Sequence, residues 1–209
     1  MLQKRLVSWL KSFLTWVRGV FGNRIPSVIG RDEHIMRTIY HPANFNTKKN
    51  KLRSNFMRPP SSPDEEDPTI MSNKLSTTRF DYTGIEFCRS HARAHQSEPL
   101  RHYWGFGRFV VEKLEKPRIV GGQEHTCKVK FKPVEDNPAH ANIDLGFRLH
   151  EGETLDSETQ EYIKQLAECA EILKDPDPTS EKWNGEAVDK PKFGELKYKK
   201  IEISKLTIS

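Results

Sequence analysis

The chain has 209 residues, 35% hydrophobic and 30% charged, with a net charge of +5 and a mean hydropathy of −0.74; this excludes a mostly membrane-embedded protein and predicts one domain with polar extensions. The charge is uneven: residues 1–60 carry 12 Lys or Arg against 2 Asp or Glu, a surplus of +10 that leaves −5 for the rest, which favours an anionic partner for the amino-terminal part. Three scattered cysteines, Cys88, Cys127 and Cys169, without a C-x-x-C pair, exclude a disulfide framework and point to a reducing, cytoplasmic setting.

The first 22 residues, MLQKRLVSWLKSFLTWVRGVFG, separate into two faces at helical spacing. Trp9, Phe13 and Trp16 belong to the apolar face, and Lys4, Lys11 and Arg18 to the polar one. Lys11 and Arg18 interrupt the apolar run, which excludes a spanning helix and a signal peptide. The pattern fits an interfacial helix lying on an anionic membrane surface, at the inner face of the membrane, or a helix docked on a protein partner.

Residues 23–45 read as a short connecting segment, with one short strand or helical turn in HIMRTIYHPANF. Residues 46–74 read as a flexible linker: a basic run (Lys48, Lys49, Lys51, Arg53), then Pro59, Pro60 and Pro63, then Asp64-Glu65-Glu66-Asp67. The basic run is the candidate contact for nucleic acid.

The folded part is expected from Leu75 to Pro178, with residues 179–209 as an extension. A helix is predicted over 82–95, with Thr83 as N-cap and Glu86 completing a capping box. GFGRFVVEKL (105–114) reads as a strand, with Trp104 and Phe106 on one face. Gly121-Gly122 marks a turn. Cys127, Val129 and Phe131 alternate with lysines as in a half-exposed strand, and ANIDLGF (141–147) is another. SETQEYIKQLAECAEIL (157–173) reads as one helix capped by Asp156 or Ser157 and stopped by Asp175-Pro176. ELKYKKIEISKLTIS contains a lysine-guarded edge strand or a tail. The fold class is therefore α+β: a small mixed or antiparallel sheet with two packed helices.

Two constellations carry chemistry. Cys88, His91 and His95 form C-x-x-H-x-x-x-H, and i, i+4 histidines are a zinc-ligand spacing. Against a metal there, HARAH lacks the glutamate of a zincin, and Arg89 and Arg93 flank the site and would repel a cation. His140 precedes Asp144 by four residues, a candidate general base with its carboxylate; in a strand the two lie along one face without converging. The sequence contains no G-x-S-x-G, P-loop or G-x-G-x-x-G. Tyr103, Trp104, Phe106 and Phe109 beside Arg101 and Arg108 resemble a base-stacking platform, but fit an ordinary strand core as well.

From Ile39 to Glu186 the chain resembles a group of small bacterial proteins with no assigned activity. The resemblance rests, in order, on IYHPANF, KLRSNFMRPP, LSTTRFDYTGIEFCRSHA, YWGFGRF, NPAHANIDLGF, ECAEILKDPDP and KWNGE. It implies a bacterial or mobile-element setting and assigns no residue a role. The amphipathic segment lies outside the shared pattern, as an added docking element does. The expectation is a non-catalytic interaction module without a cofactor, docked by its amino-terminal helix. The alternatives are a small hydrolase or metal-dependent enzyme using the His, Cys and Asp residues, and a nucleic-acid-binding protein.

Overall fold

The computed structural model describes residues 25–60, 62–96, 101–180 and 182–193. The amphipathic segment with Lys4, Trp9, Lys11, Phe13, Trp16 and Arg18, and the expected strand near the carboxyl end, lie outside the described residues. Among the described residues, no helix is long and apolar enough to cross a membrane.

The architecture is α+β, built on an antiparallel sheet of six strands. In chain order the strands are β1 (His34–Pro42), β4 (Lys74–Arg79), β5 (Arg101–Val110), β8 (Lys128–Phe131), β9 (His140–Asp144) and β10 (Glu171–Lys174), arranged β10-β5-β1-β4-β9-β8. Two small hairpins lie apart from it: β2 (Phe45–Asn46) with β3 (Lys51–Leu52), and β6 (Arg118–Val120) with β7 (Gln123–His125). Among the described residues the α-helices are α1 (Gly84–Ala94), the single turn α2 (Val111–Leu114) and α3 (Ser157–Glu168).

Each face of the sheet has its own core. On one face Ile35, Ile39, Phe109, Ala141 and Ile143 pack with Tyr162, Ile163 and Leu166 of α3 and with Phe56 and Met57 of a 3-10 turn at Ser54–Met57. On the other, Met36, Tyr103, Phe106 and Leu173 pack with Phe80 and with Cys88 and Ala92 of α1. Asp156 caps α3 by accepting from the Thr159 N–H at 2.6 Å, as its sequence position predicts. The Gly121-Gly122 turn joins β6 to β7, both glycines at positive φ.

Several sequence expectations need correction. Residues 23–45 are not a connector: β1 pairs with β5 along nine residues and lies inside the sheet. Residues 46–74 are not a free linker, because Phe56 and Met57 are fully buried and Asn55 and Arg53 bond the backbone of Ala43 and Phe45. Folding begins well before Leu75. The helix expected over 157–173 ends at Glu168, and Glu171–Lys174 crosses to pair with β5 as an edge strand. Thr83 occupies the N-cap position of α1 but makes no capping bond; its hydroxyl donates to the Arg79 carbonyl, and Glu86 accepts from the Trp183 N–H. Trp104 and Phe106 face opposite sides of the sheet. The β1–β5 register slips between Ile39 and Tyr40, so Trp104 is an extra residue that bulges toward Phe45, ring centroids 3.9 Å apart. Gly105 lies where any side chain would collide: a Cβ would come within 2.2 Å of the Leu173 carbonyl oxygen.

One feature of the sheet positions the site. β1 and β4 pair only at Ile35–Arg79 and Met36–Thr78. Beyond Met36 the strands part, and Arg37 bridges the gap by donating to the carbonyls of Phe56 and Ser76, both at 2.9 Å.

Candidate functional site

The parting of β1 and β4 opens a groove of about 620 Å³ on the α1 side of the sheet. Its floor is Met36, Thr38 and Tyr40 of β1 with Ser76 and Thr78 of β4; its walls are α1 and the loop between β8 and β9. A groove of this size admits a ligand larger than a lone ion.

The helical period of α1 sorts its residues. Cys88 and Ala92 face the sheet core. Arg89 and Arg93 point to one side. There Arg89, 1% exposed, binds Asp175 at 2.7 Å, and both arginines donate to the Ser180 carbonyl. His91 and His95 point to the other side, toward the groove. The two arginines are thus turned away from the histidines, and the expected repulsion of a cation does not arise from them. Cys88 is also apart: it is buried, its Sγ lies 3.5 Å from the Thr83 hydroxyl, and burial pushes its thiol up to about 12.

The third partner of the histidines is Asp136. Its loop is pinned by Asn137, whose buried side-chain amide donates to the Thr78 hydroxyl at 2.8 Å and whose Oδ1 accepts from the Ala139 N–H. Asp136 Oδ2 lies 3.1 Å from His95 Nε2 and 3.8 Å from His91 Nε2. One ligand atom from each residue falls within a 4.8 Å span. The two rings stack at 4.3 Å. His95 Nδ1 lies 2.9 Å from the His91 carbonyl; a carbonyl only accepts, so Nδ1 carries the proton and Nε2 faces Asp136. This is the backbone tether that orients metal-bound histidines. Burial, with His95 adding to it, lowers His91 to about 4, which favours the neutral ring at physiological pH. His91 Nε2, His95 Nε2 and a carboxylate oxygen of Asp136 thus face one another, and a cation held among them would meet three ligand atoms.

A second arrangement lies on the same floor. His140 Nε2 is 2.7 Å from the Ser76 hydroxyl, and His140 Nδ1 is 2.6 Å from the Lys132 carbonyl. By the same reasoning Nδ1–H donates to that carbonyl, and the neutral ring accepts the Ser76 proton at Nε2. Burial lowers the His140 pKa and favours that neutral form. His140 and Asp144 do not form a pair: they lie about 13 Å apart along β9, and Asp144 instead binds Lys130 Nζ at 2.6 Å and accepts from Asn73 and the Gly146 N–H. Ser76 and Asp136 are the site residues that sequence reasoning missed.

The remaining candidates are dispersed. Lys48, Lys49 and Lys51 are exposed on the β2–β3 hairpin, and Arg53 bonds the Phe45 carbonyl. Tyr103, Phe106 and Phe109 are core residues on two faces, so no aromatic platform forms. No protein-family model, curated protein or solved structure matches the chain.

Proposed function

We propose that the α+β domain is a metal-dependent enzyme domain whose working site is this groove. His91, His95 and Asp136 hold a divalent transition-metal ion, and Ser76 with His140 forms a proton-handling pair on the same floor. The observation that carries the reading is the convergence of three ligand-capable atoms within 4.8 Å, one on a tethered histidine. Imidazole and carboxylate ligands suit Zn2+ and its neighbours, and three protein ligands leave room for a fourth from solvent or substrate. The thermal midpoint tests it: at a hundred times its dissociation constant, zinc should stabilise the folded protein by about 2.7 kcal/mol. An Asp136→Asn, His95→Ala protein should show no such shift. Equal shifts in both proteins would reject the site.

A second reading concerns location. The segregated faces of residues 4–18, with Trp9, Phe13 and Trp16 opposite Lys4, Lys11 and Arg18, support docking to an anionic membrane or a protein partner. Flotation of the full chain with anionic vesicles, lost on removal of residues 1–22, is the expected result for membrane docking. Unchanged flotation after removal would dismiss this role for the segment.

A further inference from the structure

We propose that the part of the groove lined by Arg37, Arg58 and Arg101 seats a phosphate group of the ligand that the groove takes. The inference rests on the groove being the working site, and it adds the ligand's chemical class.

Among the described residues, Arg37, Arg58 and Arg101 meet no carboxylate, although all three line the groove. The other cation of the lining, Lys74, is already matched by Asp64 and Glu66 at 3.0 and 3.3 Å. The one acidic lining residue is Asp136, which belongs to the histidine cluster. The arginine-lined part therefore carries a surplus of positive charge within a concave surface, where the field of fixed charges is focused.

Two of the arginines are also held in place. Arg37 is fixed across the gap between β1 and β4 by its two backbone acceptors. Arg101 lies over the Tyr40 ring, 4.3 Å from its centroid. Burial, with the neighbouring Arg101 adding to it, brings Arg37 down to about 10, still protonated at neutral pH. A bound anion relieves that repulsion. Guanidinium groups match phosphate oxygens in pairs. Several cations together, with a metal ion beyond them, favour a dianion over a single carboxylate.

The test is calorimetric titration of the full-length protein, stripped of metal on a chelating resin, with inorganic phosphate and pyrophosphate, and with acetate as the monoanionic control. Arg58→Gln and Arg101→Gln alter exposed residues and leave the Arg37 bridge intact, so folding is retained; the thermal midpoint verifies this. Phosphate or pyrophosphate should bind the parent protein, and the double variant about tenfold or more weakly, while its zinc affinity is unchanged. Binding of phosphate by a protein that takes up no zinc would support this inference while removing the metal reading. No phosphate binding, equal binding by the double variant, or acetate binding as tight as phosphate would overturn it.

Discussion

The two sides of α1 carry similar raw material and differ in how it is satisfied. On one side Arg89 and Arg93 stand four residues apart, as do His91 and His95 on the other. The arginine side is closed: Arg89 and Asp175 are 1% and 0% exposed, and the spare guanidinium hydrogens go to Ser180 and the Asp177 carbonyl. The histidine side is open: His95 is 49% exposed, and three ligand-capable atoms converge beside a groove. A polar network with every partner supplied from within the chain is a structural fastening, tying α1 to the segment after β10. One whose ligand atoms converge at an open groove has room for a partner from outside.

The largest effect should come from breaking the closed side. Asp175→Ala leaves the buried Arg89 guanidinium with only the longer contact to Glu86 at 3.4 Å as an ionic partner and should cost about 3 kcal/mol, read as the denaturant midpoint. Phe56→Ala should come close to that, about 3 kcal/mol, because Phe56 is fully buried against Phe109 and fills the space above Gly107, where a Cβ would come within 2.7 Å of its ring. A loss below 1 kcal/mol would return residues 46–74 to linker status.

Acid should separate the groove from the rest of the fold. His140 binds a proton less readily in the folded protein than its ordinary 6.5. Unfolding therefore takes up a proton once the pH falls below that value, and stability declines from there toward the lower folded pKa. His91, brought down to about 4, adds to the same decline. Denaturant midpoints measured between pH 7 and pH 5 should fall less for His140→Gln than for the parent. The smallest effect is expected on the open side without metal: Asp136→Asn should change stability by no more than about 0.5 kcal/mol. The contrast with Asp175→Ala is the sharpest statement of the difference between the two sides.

The sequence makes α1, β8, the Gly121-Gly122 turn and the Asp156 cap legible, because each depends on local periodicity or turn chemistry. β1 is obscured because both of its faces are buried, Ile35 and Ile39 in one core and Met36 in the other, which hides the alternation of a one-sided strand. Prolines and charges around Phe56 and Met57 conceal two core residues. Glu171–Lys174 continues the apolar spacing of α3, and only pairing with β5 turns it into a strand. At the site, the i, i+4 histidines are visible but Asp136 is not, since it arrives from a loop distant in the chain. Ser76 is equally hidden, because its histidine lies on the neighbouring strand.

The most direct measurement is isothermal titration of zinc into the metal-free protein and into His95→Ala, each shown to be folded. The account predicts one zinc per chain for the parent, weakened by at least the 10–100-fold that even outer-shell changes produce in the variant. No zinc uptake by the folded parent protein, or uptake of equal strength by His95→Ala, would contradict it.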